Sequence, residues 1–104
     1  MDTALKALAE PRRREILRLV WSHEMAASEI ADHFDVTRPA ISQHVAVLKA
    51  AGLVTERRDG TRRLYRADQS EMHKVREFLD SYWTSGLERL RDVAEAAQRN
   101  KEKK

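Results

Sequence analysis

The spacing of the apolar residues changes at Gly52, and this change restricts the possible folds more than any other feature of the chain. Before it, apolar residues recur at every third or fourth position, which predicts helices. After it, two short extended runs, 53–58 and 61–66, flank Asp59-Gly60, a dipeptide strongly favoured in tight hairpin turns. From about Ser70 the helical spacing returns for about seven turns. The predicted order is therefore four helices, a small β-hairpin and one long helix.

A proline separates the first two helices. The first is predicted over about 3–9, with Leu5 and Leu8 on one face. Pro11 then begins the second helix, because its missing N–H costs nothing in a first turn. Four apolar side chains of this second helix recur at helical spacing and are expected to point inward: Ile16, Leu17, Val20 and Trp21.

The third and fourth helices are short and close together. The third is predicted roughly over 27–34. Thr37 caps the fourth, and Gly52 follows its expected end at Ala51 as the left-handed residue that closes helices. The side chains that the third helix is expected to bury are Ile30, Ala31 and Phe34.

The size and composition of the chain narrow the class of protein. With 104 residues, one domain is expected over 1–100, followed by a basic tail at 101–104 that is expected to be disordered. The chain contains no cysteine, which excludes disulfides, thiolate metal sites and cysteine nucleophiles. No stretch approaches about 18 consecutive apolar residues, and no apolar signal segment is present. A cytoplasmic protein is therefore expected.

An enzyme is not expected. The sequence offers no nucleophile–base pair, glycine-rich phosphate loop or ligand cluster. Ser42 and His44 are close in sequence, but they are predicted to point to different sides of a helix, so they cannot act as a catalytic dyad.

The basic residues are concentrated in the middle of the chain. The net charge is +3 overall, but residues 36–66 carry +5, whereas 1–35 carry −2 and 67–95 carry −3. A basic centre between acidic segments is what a localised phosphate-binding face would produce. A solvated charged surface would give the same counts, so charge alone does not decide between the two.

The third and fourth helices, over 27–51, have the lengths and the short connection of a helix-turn-helix, whose second helix lies in the DNA major groove. Ile41, Val45 and Leu48 are expected to anchor one face of the fourth helix in the core. Such a helix pair is common in α-proteins and does not by itself establish DNA binding. The opposite face and its cap present the predicted DNA-binding residues Thr37, Arg38, Pro39, Ser42, Gln43 and Lys49.

These polar side chains suit the edges of base pairs. Gln43 can pair bidentately with adenine and Arg38 with guanine, while Ser42 accepts several partners. Thr37 and the N–H groups at the start of the helix suit a phosphate.

The hairpin strengthens the prediction that this protein binds DNA. Arg57, Arg58, Arg62 and Arg63 surround Gly60, with no helix expected near enough to neutralise them. A structural hairpin rarely needs four arginines at its tip. A wing that follows the DNA backbone or enters a minor groove would use them.

From Ala4 to about Leu90 the chain resembles the ArsR/SmtB family of bacterial winged helix-turn-helix repressors. The matching stretches are ALAEPRRREIL at 7–17, VTRPAISQHVAVLKAAGLV at 36–54 and RRDGTRRLYR at 57–66. The resemblance implies a homodimer joined by its first and last helices, each subunit inserting its fourth helix into one half-site of an imperfect palindrome in double-stranded DNA. It also implies that DNA is faced by Arg38, Ser42, Gln43 and His44, with Arg62 and Arg63 on the wing.

The sequence departs from the metal-sensing members of that family. Where they often carry a cysteine pair, the third helix has Ala27, Ser28, Glu29 and Ile30. The last helix offers only a lone histidine, His73, with three carboxylates nearby. A metal-independent branch of the family, with no cofactor, is therefore expected.

The long last helix has two interpretations. Its apolar stripe could cover the monomer core, but about seven turns exceed what so small a core can cover. Dimerisation accounts for it better, and twofold symmetry would match a palindromic operator. The predicted dimer residues are Leu5, Leu8, Leu79, Tyr82, Trp83, Leu87 and Leu90.

Two questions stay open from the sequence. A winged helix can also bind protein or RNA instead of duplex DNA, because fold does not dictate function. Relief of repression could use a small ligand near Tyr82 and Trp83, a competing protein, or autoregulation by concentration. Nothing in the residues selects among these routes.

Overall fold

A computed structural model describes the backbone of residues 1–102 and the side chains of residues 1–100. The predicted mainly helical fold with a hairpin is confirmed. Of the predicted tail at 101–104, residues 101–102 continue the last helix and residues 103–104 lie outside the described residues, where disorder stays a prediction. The elements are α1 (Asp2–Leu8), α2 (Pro11–Leu19), β1 (Met25–Ala26), α3 (Ala27–Ala31), α4 (Arg38–Ala50), β2 (Val54–Asp59), β3 (Arg62–Ala67) and α5 (Gln69–Glu102).

The ends of α4 are set by the two predicted signals. The Thr37 hydroxyl accepts a hydrogen bond from the N–H of Ala40 at 3.3 Å, which satisfies one of the free donors of the first turn. Gly52 adopts φ +78°, the left-handed conformation that ends a helix without a Cβ clash. Gly60 adopts φ +66° in the turn between β2 and β3. Both glycines therefore lie where the sequence placed them.

Two predictions about the helices were wrong. The third helix ends at Ala31, not at Phe34, because the chain tightens into i→i+3 hydrogen bonds at His33 and Phe34. Trp21 does not point inward and is 41% exposed. It follows Val20, where φ −97° and ψ 12° leave helical geometry, so the helical spacing no longer predicts its direction.

A third strand joins the hairpin and was not predicted. Met25 lies opposite Tyr65 and Ala26 opposite Leu64, giving an antiparallel sheet in the order β1-β3-β2. Two residues without β-branching carry no strand pattern of their own, so pairing with β3 creates this strand. Because β1 runs directly into α3, it fixes the hairpin to the start of the helix-turn-helix.

The core lies between α2, α3, α4 and the sheet. The predicted anchors of α4, Ile41, Val45 and Leu48, are at most 3% exposed. Only the first turns of α5 reach the core, where Val75 is buried. From residue 79 to residue 100 every side chain except that of Ala96 is exposed. The helix therefore extends away from the body, and the molecule measures 75 × 27 × 21 Å.

Substituting Leu48 with alanine should lower the free energy of unfolding by about 2–5 kcal/mol, because it empties a fully buried position in α4. Val47→Ala is the matched control: Val47 is 41% exposed on the same helix, and the change should stay within about 0.5 kcal/mol. Urea unfolding at one fixed protein concentration measures both. Equal losses for the two variants would contradict the described packing of α4.

Candidate nucleic-acid interface

The first two turns of α4 present a polar surface to solvent. Thr37, Arg38, Pro39, Ser42 and Gln43 are all exposed. They keep this direction because the opposite face of α4 is buried. The predicted base-reading side chains are therefore accessible together on one side of the helix.

A groove with a volume of about 550 Å³ lies between α4 and the hairpin, and we call it the α4–hairpin groove. It joins the two sets of residues that the sequence predicted separately. Arg38, Ser42 and Lys49 line it from α4, and Arg62 and Arg63 line it from β3. Five exposed residues that were predicted to bind DNA do not line the groove: Thr37, Pro39, Gln43, Arg57 and Arg58.

His44 turns towards the body of the protein and not towards the groove. It is half-buried, with Nδ1 3.5 Å from Nη1 of Arg13 on α2. Arg13 also donates from Nε to the carbonyl of Ala7 at 2.7 Å, at the end of α1. His44 therefore packs α4 against the first two helices, and direct contact with DNA is not the role its position favours.

The prediction that no helix lies near enough to neutralise the hairpin arginines was wrong, because Glu29 belongs to α3. Arg57 Nε lies 2.9 Å from an Oε of Glu24, and Arg62 pairs with Glu29. These partners are 33 residues away in the chain and come close only through the unpredicted pairing of β1 with β3. Arg58 forms no ion pair with any of the described residues.

Glu56 is a carboxylate at the groove that sequence reasoning did not single out. It accepts a hydrogen bond from Lys49 Nζ at 2.5 Å and from the Tyr65 hydroxyl at 3.3 Å, and Arg63 Nε is 3.5 Å away. The hydrogen bond from Lys49 is the main cause that holds the pKa of Glu56 below its ordinary value, with burial acting in the opposite direction. The carboxylate is therefore ionised at neutral pH, and its pairing is lost only as the pH falls through that lowered pKa.

A second surface, on α1, α2 and the start of α5, is apolar. Leu5, Leu8, Trp21 and Leu79 line a groove of about 830 Å³ there. The remaining predicted dimer residues follow along α5 and are exposed: Tyr82 by 68%, Trp83 by 70%, Leu87 by 49% and Leu90 by 67%. The exposed Trp21 belongs to this surface, although the sequence pattern assigned it to the core.

The described part of the chain offers little support for a metal site or a membrane-spanning helix. No three side chains of His, Cys, Asp or Glu gather there as they would around a metal ion. His73 Nε2 lies 3.1 Å from Glu77, a neighbour on the same helix. Among the described residues, no helix is both long enough and apolar enough to span a membrane.

A helix-turn-helix of α3 and α4, followed by a hairpin that contributes to a three-stranded sheet, defines a winged helix-turn-helix protein. Residues 10–56 match the bacterial regulatory protein family arsR. The HTH-type transcriptional regulator Rv2034 of Mycobacterium tuberculosis is 43% identical over 86 residues, which cover 83% of this chain and 80% of that protein. The chain therefore belongs to the arsR family of bacterial regulatory proteins.

Two further similarities agree with this assignment. The transcriptional repressor SdpR of Bacillus subtilis is 40% identical over 60 residues, covering 58% of this chain and 67% of that protein. The homodimeric winged helix-turn-helix DNA-binding domain Mb0332 of Mycobacterium bovis superposes with a TM-score of 0.66 at 32% identity, covering 77% of this chain and 74% of that chain. The protein is a transcriptional regulator with a winged helix-turn-helix DNA-binding domain and not an enzyme, as the sequence predicted.

Replacing Thr37 with alanine should remove the cap of α4 and lower the free energy of unfolding by about 1 kcal/mol. Thr37→Ser keeps the hydroxyl and should stay close to the wild type. Urea unfolding measures the difference between the two variants. A Ser variant as unstable as the Ala variant would show that the hydroxyl does not stabilise the start of α4.

Proposed function

We propose that this regulator is a homodimeric repressor that binds an imperfect palindrome in double-stranded DNA and does not sense metal. One observation carries the proposal: the α4–hairpin groove brings polar side chains of α4 and arginines of the hairpin onto one concave surface. A helix that reads bases and a wing that contacts the adjacent backbone require this convergence.

Base reading falls to the exposed start of α4. Arg38 suits guanine, Gln43 suits adenine, and Ser42 between them accepts several partners. These residues lie in the first two turns, the part of such a helix that contacts base edges. Arg58 and Arg62, on the two strands of the hairpin, supply charge for the phosphates that flank the bases.

A second copy of the chain is the proposed cover for the apolar surface. Trp83 and Tyr82 are each more than two-thirds exposed in the single chain, which is unfavourable for side chains of this size in water. The homodimeric state of the related Mycobacterium bovis domain supports the same arrangement. Twofold pairing would present two copies of α4 to two half-sites, which is why a palindrome is expected.

Independence from metal rests on the residues of α3 and α5. The stretch 27–30 contains no thiolate ligand, and His73 lies beside Glu77 on an exposed helix. We expect repression and not activation because the similar protein SdpR is a repressor. We expect a cytoplasmic location because the protein must reach DNA.

Replacing Gln43 with alanine should weaken binding to the cognate site by about 1–3 kcal/mol, the worth of a bidentate base contact, and leave binding to random duplex nearly unchanged. Arg58→Ala should weaken both and lower the slope of log K against log salt by about one. Lys74→Ala, which removes a cation of α5 paired with Glu71, is the matched control and should change neither. Fluorescence anisotropy over a salt series measures all three variants. A wild-type protein whose duplex binding has no salt slope, or which binds a protein or an RNA through α4 instead, would contradict the proposal.

Replacing Trp83 with lysine should convert the dimer into a folded monomer, because a charge would then have to be buried in an apolar interface. The affinity for the cognate DNA should fall because the dimer is lost. Glu88→Lys introduces the same side chain on the opposite side of α5 by helical spacing and should leave the dimer intact. Sedimentation velocity gives the mass, and circular dichroism confirms folding. A Trp83→Lys protein that remains dimeric would exclude this surface as the interface.

A further inference from the structure

We propose that Glu56 is a specificity-determining residue of the α4–hairpin groove. Its carboxylate withholds Lys49 and Arg63 from DNA phosphates and fixes the distance between α4 and the hairpin. The inference rests on the proposed function, because it assigns a role within the same DNA-binding surface.

The contacts of Glu56 come from two separate elements. Lys49, in the last turn of α4, donates to it at 2.5 Å, while Tyr65 and Arg63 approach it from β3 at 3.3 and 3.5 Å. The Glu56 side chain is only 18% exposed, whereas those of Lys49 and Arg63 are 51% and 57% exposed. The Glu56 carboxylate is therefore largely shielded from solvent, while the two cations that it binds remain accessible.

The register of the hairpin explains why a carboxylate is useful at this position. Glu56 lies opposite Tyr65, and the next pair on the same face sets Arg58 opposite Arg63. Two arginines directly across a sheet repel each other. By binding Arg63, Glu56 offsets this repulsion and leaves Arg58 as the cation that faces solvent.

The ion pair between Glu29 and Arg62, of which only Arg62 lines the groove, is more exposed than the Glu56 carboxylate. Their side chains are 46% and 54% exposed, and Arg62 is the only cation paired with Glu29 among the described residues. Such exposed pairs contribute little and are easily exchanged. A phosphate can therefore take Arg62 from Glu29, while Lys49 and Arg63 stay with the shielded carboxylate of Glu56.

The difference between the exchangeable Arg62 and the retained Lys49 and Arg63 affects sequence-independent DNA binding and base readout in different ways. Attraction to DNA of any sequence grows with the number of free cations, because each phosphate contact releases counterions. Base readout by Arg38 and Gln43 depends instead on how α4 is held relative to the backbone contacts of the hairpin. Glu56 therefore lowers the sequence-independent affinity and stabilises the geometry of the specific complex.

Glu56→Gln tests both parts, since it keeps the shape of the side chain and removes its charge. Binding to random duplex should tighten by about three- to tenfold, and its salt slope should steepen by about one to two as Lys49 and Arg63 reach phosphates. Binding to the selected operator should gain less, because α4 and the hairpin are no longer held together by charge. The ratio of operator to random affinity should therefore fall.

Glu71→Gln is the matched control for net charge. It frees Lys74 from a pair of 2.9 Å on α5, and it should leave the operator-to-random ratio and the salt slope close to those of the wild type. A Glu56→Gln protein that behaves like Glu71→Gln would overturn the inference. So would equal losses of operator and random affinity, which would mean that Glu56 has only a structural role.

Lys49→Met supplies a test that does not depend on the folding of the Glu56 variant. In the wild-type background it should leave the salt slope of random-duplex binding nearly unchanged, because Lys49 makes no phosphate contact while Glu56 holds it, whereas the affinity itself should fall because the charge of Glu56 is then less compensated. In the Glu56→Gln background it should remove part of the gain. A loss of about one unit of salt slope on Lys49→Met in the wild type would overturn the inference. Failure of the wild type itself to bind duplex would instead overturn the proposed function.

Discussion

The burial of one side of α4 determines the direction of its polar side. Ile41, Val45 and Leu48 lie in the core, so the helix cannot rotate without exposing them. Its polar side is thereby fixed towards solvent, and the cap at Thr37 fixes where that side begins. The hairpin is in turn held at a fixed position beside α4, because β1 joins it to the start of α3.

Fewer basic side chains of the hairpin and of α4 are unpaired than the number of arginines indicates. Carboxylates from three parts of the chain, Glu24, Glu29 and Glu56, meet the basic residues of the hairpin and of α4. A DNA-binding surface with no such partners would attract every duplex in proportion to its free cations. Pairing them leaves a greater share of the binding free energy to base contacts, on which recognition of one sequence depends.

The sequence predicted those features that are specified locally. Helical spacing located α2, α4 and α5, and Asp59-Gly60 located the hairpin turn. It missed what arises only from distant pairing: β1 is a strand because β3 lies beside it, and the ion pairs of Arg57 and Arg62 depend on that strand. Trp21 was misplaced because the pattern was continued past the end of α2. The polar face of α4 was predictable because three buried residues define the opposite side.

In the proposed dimer, two copies of α4, each with its hairpin, read one sequence in duplex DNA. Selection of bound fragments from a pool of random duplexes shows whether the dimer reads a sequence. We expect an enriched pseudo-palindrome whose half-sites are separated centre to centre by about 10–10.5 base pairs or a multiple of that spacing. Recovery of fragments that share no sequence, under salt conditions in which the protein still binds, would contradict it.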